Sequence, residues 1–316
     1  MELMEMNKSF QGRDFLSLYD YTPEEIHYLI DLAIDLKYKQ KKGIPHPYLA
    51  GKTLGMIFQK SSTRTRVSFE VGMYQLGGMA LFLSSNDLQI GRGEPVKDTA
   101  RVLSRYLDGI MIRTFSHDEV LELAQYADIP VINGLTDLLH PCQVLADLMT
   151  IKEHKGQLAG LKLAYVGDGN NMAHSLMYGG AKMGMDVVIA SPAGYVPDET
   201  VTRQSTAVAT ETGGSISITG NIEEAVKDAD VIYTDVWASM GQEEEAAERK
   251  KAFAAYQVNN ELLKMAKSDV IVLHCLPAHR GEEITDEVIE GPHSVVFDEA
   301  ENRLHAQKAI MALLMA

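Results

Sequence analysis

The feature that most constrains the fold is an alternation of short apolar runs, rich in β-branched residues, with longer amphipathic stretches along the chain. The short runs have the length of buried strands, and strand–helix–strand alternation is typical of parallel sheets covered by helices on both faces. We therefore predict an α/β protein with doubly wound parallel sheets. The predicted strands are residues 52–58, 80–83, 109–113, 130–133, 161–166, 186–190, 215–219, 230–234, 269–274 and 294–297.

The amphipathic stretches predict helices, and the length of the chain predicts two domains. A chain of 316 residues is longer than a typical single domain. We expect two doubly wound domains joined by interdomain helices, with ligands in the cleft between them. The predicted helices are residues 67–76, 98–107, 118–127, 173–183, 200–211 and 222–227, a long helix over 143–154 and a final helix over 299–316.

Composition excludes several classes of function. The formal net charge of −15 repels nucleic acid and anionic lipid, so neither is an expected partner. No apolar run reaches the roughly 18–20 residues that span a bilayer, and the first residues are acidic, which favours a soluble, cytoplasmic chain. Two cysteines cannot build a disulfide framework, and no cysteine–histidine group has zinc spacing. We expect neither a metal nor a cofactor.

Arginine is unevenly distributed in this acidic chain. Six of its eleven arginines fall within one stretch of fifty residues: Arg64, Arg66, Arg92, Arg101, Arg105 and Arg113. A local group of arginines in an otherwise acidic protein predicts a site for a small anion rather than for a polymer.

Polar or reactive residues follow six of the predicted strands. Ligands of open α/β sheets bind at the carboxyl ends of the strands, so these segments are the candidate site. The segments are residues 59–66, 113–114, 140–143, 167–171, 235–241 and 274–277.

Each segment also has an ordinary structural explanation. Residues 61–66 offer hydroxyls, two guanidinium groups and the N–H groups of a helix start, which suits a tetrahedral oxyanion but also describes an exposed N-cap. His140 by itself is typical of a helix start, Cys275 of a buried inert thiol, and Trp237 of packing. Cys142 is interpreted as structural. The Gly167-Asp168-Gly169 turn lacks a third glycine and a ribose-binding acid, so a nicotinamide-dependent oxidoreductase is only a weak alternative.

Taken together, three motifs resemble the aspartate/ornithine carbamoyltransferase family. They are Ser62-Thr63-Arg64-Thr65-Arg66, His140-Pro141-Cys142-Gln143 and His274-Cys275-Leu276-Pro277, in this order and spacing. The resemblance runs from about Phe15 to the C-terminal helix. It implies a carbamoyl-phosphate-binding domain (residues 1–142 with helix 299–316), an ornithine-binding domain (residues 143–298), and a homotrimer or a multiple of trimers.

The resemblance also implies roles for individual residues. Carbamoyl phosphate is assigned to Ser62, Thr63, Arg64, Thr65, Gln89, Arg113, His140, Gln143, Cys275, Leu276 and Arg303, of which Gln89 matches a position that acts across a subunit boundary. The catalytic residues implied are Arg64, Arg113, His140 and Cys275. Ornithine is assigned to Asn171, Asp235, Ser239 and Met240.

The loop at residues 235–241 indicates which amine accepts the carbamoyl group. It contains a carboxylate and no basic residue, which suits the cationic α-amine of ornithine better than the second carboxylate of aspartate. We expect L-citrulline and phosphate as products. Putrescine carbamoyl transfer is the runner-up, and a non-catalytic carbamoyl-phosphate-binding protein is an alternative of another class. Arginine biosynthesis and arginine breakdown both remain open.

Overall fold

The structure, a computed structural model, describes residues 8–239 and 241–316. The chain forms two compact units, unit 1 (Met1–Ala146 and Asn302–Ala316) and unit 2 (Asp147–Glu301). The boundaries between the units fall inside two helices, Pro141–Lys155 and Val296–Leu314. The predicted fold, two doubly wound α/β domains joined by helices, is confirmed.

Unit 1 contains a four-stranded parallel sheet in the order β2-β1-β3-β4. The strands are β1 (Thr53–Phe58), β2 (Met79–Ser84), β3 (Gly109–Arg113) and β4 (Val131–Leu135). The helices are α1 (Pro23–Lys41), α2 (Thr63–Gln75), α3 (Val96–Leu103), α4 (His117–Tyr126) and the first part of α5 (Pro141–Lys155). Every residue of β3 and β4 is buried, whereas the edge strand β2 is largely exposed.

Unit 2 contains a five-stranded parallel sheet in the order β7-β6-β5-β8-β9. The strands are β5 (Lys162–Val166), β6 (Asp186–Ala190), β7 (Ser215–Thr219), β8 (Val231–Thr234) and β9 (Ile271–His274). The helices are α6 (Asn171–Lys182), α7 (Glu199–Thr212), α8 (Ile222–Val226), α9 (Ala246–Ala252), α10 (Asn260–Leu263) and α11 (Asp286–Ile289). The last helix, α12 (Val296–Leu314), begins in unit 2 and ends in unit 1.

The strand order places the candidate segments side by side. In unit 1 the order reverses between β1 and β3, and in unit 2 it reverses between β5 and β8. Loops at such a switch point leave the sheet in opposite directions and open a crevice at the carboxyl ends of the strands. Residues 59–66 and 113–114 therefore share one crevice, and residues 167–171 and 235–241 share another.

Several elements differ from the predictions, among them the short helices α9, α10 and α11, which lie outside the predicted helices. Residues 294–297 form no strand: Ser294 makes one isolated bridge to Val272, and Val296 begins α12. A short apolar run cannot be assigned to strand or helix by periodicity alone, which explains the error. Helix α1 lies outside the predicted elements, although Thr22 and Glu25 form a capping box at its start, with Pro23 in its first turn.

In the part of the chain that the structure describes, no helix has the length and apolar character needed to cross a membrane.

Candidate active site

The candidate residues of unit 1 lie at the start of α2. Ser62 is the N-cap of this helix, and its Oγ accepts a hydrogen bond from the N–H of Thr65 at 3.2 Å. The cap fixes the first turn of α2 at the carboxyl end of β1, where helix N–H groups and the positive end of the helix dipole favour an anion. Thr63 and Arg64 belong to this turn. The N-cap and anion-site interpretations of the sequence are therefore compatible.

Thr65 joins this turn to the C-terminal helix. Its hydroxyl accepts a hydrogen bond from Arg303 Nη2 at 2.8 Å, and Ser62 Oγ lies 3.1 Å from the same oxygen. Thr65 and Arg303 are both buried, 238 residues apart in sequence. A hydrogen bond between a guanidinium group and a buried hydroxyl fixes the positions of both side chains.

The charges of three arginines lower the pKa of one buried histidine. We call Arg64, Arg113, Arg303 and His140 the arginine cluster. Burial, and then the positive charges of Arg303, Arg113 and Arg64, hold the pKa of His140 well below its usual range. The imidazole is therefore neutral at pH 7. A neutral imidazole N–H beside three guanidinium groups can donate hydrogen bonds to a carbonyl oxygen or a phosphate without adding a fourth charge.

The positions of Arg113 and His140 follow from the sheet. Arg113 ends β3, and its carbonyl accepts the N–H of Gln59 at 2.9 Å, so the loop after β1 is bonded to the end of β3. His140 lies directly before α5, which begins at Pro141. Gln143 is buried in the first turn of that helix. Cys142 donates to Asn133 O at 3.3 Å, and burial raises the pKa of its thiol to about 12, in line with a structural residue.

Gln89 is not part of this buried group. It is exposed, at the start of the short turn Gln89–Arg92 that follows the edge strand β2. Thus the structure brings the other unit 1 residues of the prediction to the carboxyl end of the sheet, and leaves Gln89 at the surface near the sheet edge.

The candidate residues of unit 2 lie around Asp235. One carboxylate oxygen of Asp235 accepts a hydrogen bond from Asn170 Nδ2 at 3.0 Å, and the other accepts one from the thiol of Cys275 at 3.1 Å. We call Asp235 and Cys275 the aspartate–cysteine pair. Burial, and then the negative charge of Asp235, raise the pKa of the Cys275 thiol well above its usual value. The thiol is therefore protonated at pH 7 and acts as a donor.

Asn170 positions two predicted residues at once. Its Oδ1 caps α6 by accepting the N–H groups of Met172 and Ala173, while its Nδ2 holds Asp235. Asn171, the first residue of α6, is half-buried beside it. Asn170 was not among the predicted site residues, although an asparagine directly before a helix is itself an N-cap signal.

Cys275 and Leu276 are held by a buried histidine–glutamate pair. The N–H of Leu276 donates to His274 Nδ1 at 2.8 Å, so Nε2 carries the proton and donates to Glu283 Oε1 at 3.0 Å. Leu276 itself has a φ of +56°, a left-handed conformation that is costly for a bulky residue, by roughly 1–3 kcal/mol. Strained backbone of this kind is concentrated at functional sites, where the surrounding contacts maintain it.

Arg249 donates hydrogen bonds to both the loop after β5 and the loop after β8. Its Nη1 donates to Asp168 Oδ2 at 2.8 Å and to the carbonyl of Trp237 at 3.0 Å. Ser239 is half-buried, and its N–H donates to Gln242 Oε1 at 2.9 Å. Met240, also predicted to bind ornithine, lies outside the described residues.

The glycine turn after β5 is explained by packing. A Cβ on Gly169 would lie 2.3 Å from Pro197 N and 2.4 Å from the carbonyl carbon of Val196. The glycine therefore admits the backbone of residues 196–197, and Asp168 pairs with Arg249. Neither feature is what a dinucleotide requires, so the oxidoreductase alternative loses its main support.

Asp235, His274 and Cys275 are close enough together to be considered as metal ligands. However, Nδ1 of His274 accepts from Leu276 and Nε2 donates to Glu283, so both ring nitrogens are engaged. The thiol is protonated and bonded to Asp235, whereas a metal would need the thiolate. The hydrogen bonds that these side chains make occupy the atoms that would have to bind a metal.

Both parts of the chain match models of one family. Residues 13–153 match the carbamoyl-phosphate-binding domain of aspartate/ornithine carbamoyltransferases, and residues 159–314 match the aspartate/ornithine-binding domain.

Individual proteins are similar over nearly the whole chain. An ornithine carbamoyltransferase of Carboxydothermus hydrogenoformans is 65% identical over 310 residues, covering 98% of this chain and 100% of that protein. The structure of ornithine carbamoyltransferase from Pyrococcus furiosus is similar with a TM-score of 0.94 at 61% identity, covering 97% of this chain and 98% of that one. The enzyme from Gloeobacter violaceus has a TM-score of 0.87 at 53% identity, covering 97% and 99%.

Proposed function

Because the chain belongs to the aspartate/ornithine carbamoyltransferase family, we propose that it transfers the carbamoyl group of carbamoyl phosphate to the side-chain amine of L-ornithine, giving L-citrulline and phosphate. The observation that carries the proposal is the arginine cluster: three guanidinium groups around a neutral, buried His140 at the end of a parallel sheet. This arrangement suits an acyl phosphate, which has a charged phosphate beside a polar carbonyl.

The residues of unit 1 divide between the phosphate and the carbonyl of this donor substrate. The first turn of α2 offers Ser62, Thr63 and Arg64 to the phosphate. The carbonyl oxygen becomes an oxyanion as the amine adds, and Thr65, Arg113 and His140 are the donors that stabilise it. Gln143 and Arg303 also bind carbamoyl phosphate. Pre-positioned donors of this kind are each worth roughly 2.7–4 kcal/mol of barrier.

Asp235 selects the acceptor substrate. Its carboxylate, fixed by Asn170 and Cys275, binds the cationic α-amine of ornithine. Asn171, Ser239 and Met240 bind the rest of the amino acid. Aspartate would place a second carboxylate beside Asp235. Putrescine has no α-carboxylate for the amide donor of Asn171, so the putrescine reaction is not favoured.

Cys275 orients the reacting amine and does not form a carbamoyl thioester. A thiol that is protonated and donates to Asp235 is a poor nucleophile, because the thiolate is the reactive form. Leu276, which follows it with a fixed backbone, offers its main chain to the carbamoyl group.

The amine must lose its proton before it attacks. For an alkyl amine with a pKa of about 10.4, losing the proton at pH 7 costs roughly 4–5 kcal/mol of free energy.

The protein acts as a homotrimer, or as a multiple of trimers, in the cytoplasm. The exposed apolar surface of unit 1 supports an oligomer: Met79 and Phe82 on the edge strand β2, with Val67 and Tyr74 on α2. Exposed edge strands and contiguous apolar surfaces are typical of interfaces. Gln89, exposed after β2, is then available to carbamoyl phosphate in a neighbouring subunit.

The test is a citrulline assay with ornithine, putrescine and aspartate offered in parallel with carbamoyl phosphate. We expect carbamoylated product only with ornithine, and we expect Asp235→Asn to weaken ornithine binding while phosphate binding is unchanged. Equal rates with ornithine and putrescine would contradict the role given to Asp235, and no product with any amine would contradict the function.

A further inference from the structure

A buried lysine that the proposed reaction does not use lies on α12 in unit 1. The side chain of Lys308 is fully buried, and its Nζ donates to Gln75 Oε1 at 2.7 Å. The same Nζ lies 2.8 Å from His46 Nε2. Because His46 Nδ1 is 2.7 Å from the carbonyl of Ile44, Nδ1 carries the proton and Nε2 is free to accept from the lysine. We call Lys308, Gln75 and His46 the Lys308 cluster.

The cluster connects the two helices that form the carbamoyl-phosphate side of the site. Gln75 is the last residue of α2, whose first turn carries Arg64 and Thr65. Helix α12 carries both Lys308 and Arg303, and Arg303 donates to Thr65. The two helices are therefore hydrogen-bonded at both ends of α2.

Between these hydrogen bonds the helices touch at Gly72. A Cβ at this glycine would lie 2.9 Å from Met311 Cε and 3.3 Å from Lys308 Cγ, with Leu304 Cδ1 at 3.7 Å. Leu304, Lys308 and Met311 follow the i, i+4, i+7 spacing of one helix face. That face packs on α2, and a slide of α12 along α2 would break the hydrogen bonds of Lys308 and of Arg303 together.

Burying a lysine at this position lowers the free energy of unfolding. Its two described hydrogen-bond partners are an amide and an imidazole, so no carboxylate at hydrogen-bond distance offsets the cost of burying the ammonium group. An apolar side chain would fill the same space at lower cost. Buried polar groups of this kind define register in some proteins, because only one alignment satisfies their hydrogen bonds.

We propose that Lys308 is a positioning residue for the carbamoyl-phosphate site: through Gln75 and His46 it fixes α12 against α2, and so holds Arg303 on Thr65. The inference rests on the proposed function, because it concerns the binding of that reaction's donor substrate.

The test is steady-state kinetics of Lys308→Met, which keeps most of the side-chain volume and removes the hydrogen bonds. We expect the KM for carbamoyl phosphate to rise about tenfold, the factor that corresponds to 1.4 kcal/mol, while the KM for ornithine changes less than about twofold. Lys39→Met is the matched control. Lys39 lies on α1, pairs with Asp35 and Tyr48, and should leave both KM values unchanged.

Gln75→Leu provides an independent route, because it leaves the lysine in place. If Lys308 acts through Gln75, the two substitutions should not be additive, and the double variant should resemble Lys308→Met alone. An unchanged KM for carbamoyl phosphate, equal changes in both KM values, or additive effects would overturn the proposal. A purely structural role would lower the active fraction and thus the apparent kcat, without this selective change in KM.

Direct binding separates this inference from the proposed function. Titration of the wild-type protein and of Lys308→Met with inorganic phosphate measures the anion site without any turnover. Weaker phosphate binding in the variant supports the positioning role even if the wild type forms no citrulline. Equal binding overturns the role even if the wild type is a fully active carbamoyltransferase.

Discussion

Because the ammonium group of Lys308 is buried, we predict an unusual dependence of the free energy of unfolding on pH. Burial lowers the pKa of this lysine from 10.5 to about 8. Between these values the unfolded chain binds a proton that the folded chain has released, so the free energy of unfolding rises as pH increases. The pKa of Lys308 differs by about 2.5 units between the folded and unfolded chains, which corresponds to about 3 kcal/mol of unfolding free energy over the whole titration. About 2 kcal/mol of this is gained between pH 7 and 9.5.

The perturbation is Lys308→Met, and the assay is equilibrium unfolding of both proteins in denaturant at several pH values from 7 to 9.5. Other groups titrate in this range, so the quantity to follow is the difference between wild type and variant. We expect the wild type to gain about 2 kcal/mol relative to Lys308→Met across this window.

Lys39→Met again serves as the control. Hydrogen bonds to Asp35 and Tyr48 raise the pKa of Lys39, so this lysine stays charged in both folded and unfolded chains below pH 9.5. The difference in the free energy of unfolding between wild type and Lys39→Met should therefore stay constant from pH 7 to 9.5. Parallel unfolding energies for wild type and Lys308→Met from pH 7 to 9.5 would refute the reasoning, because they would mean that Lys308 titrates normally in the folded protein.

Two further predictions concern the reaction itself. His140→Leu removes the neutral imidazole donor from the arginine cluster, and kcat should fall roughly 100- to 1,000-fold, the cost of losing one oxyanion donor; a loss below fivefold in citrulline formation would exclude that role. The rate should also climb from pH 6 to pH 9, because a larger fraction of the ornithine side-chain amine is neutral at higher pH. A flat rate profile with saturating substrates would argue against attack that depends on amine deprotonation.

Much of the sheet architecture could be predicted from the sequence, because the strands are nearly continuous apolar runs that a parallel sheet buries on both faces. The same reasoning predicted where reactive residues would lie, since parallel topology brings strand ends such as Arg113 and Asp235 to one edge of their sheets. It failed at residues 294–297, where Val295 and Val296 are buried, Phe297 is exposed, and Val296 begins a helix. The apolar run is only a few residues long, and no period in so short a run distinguishes a helix start from a strand.

The contacts that orient the candidate residues could not be predicted in this way. Lys308 meets Gln75 across 233 residues, and Arg249 meets Asp168 across 81. No local pattern marks Arg249 or Lys308 as buried, because a charged side chain in a helix is normally exposed. Asn170 is the exception, since its position before α6 is a recognisable cap, although its bond to Asp235 depends on the strand order.

The protonation states of His140 in unit 1 and of Cys275 in unit 2 fit the chemistry of carbamoyl transfer. In unit 1 burial, and then the arginines, keep the pKa of His140 low and the imidazole neutral, so in the proposed reaction the cluster presents three positive charges to a phosphate dianion and an uncharged donor to the carbonyl. In unit 2 burial, and then the charge of Asp235, raise the pKa of Cys275 and keep the thiol protonated, so in the proposed reaction the carboxylate is the charge offered to the α-amine. A thiolate at Cys275 would stabilise the side-chain ammonium of ornithine and add to the cost of deprotonating it. A neutral thiol does not, and the reacting amine can therefore lose its proton while the α-amine stays charged and bound.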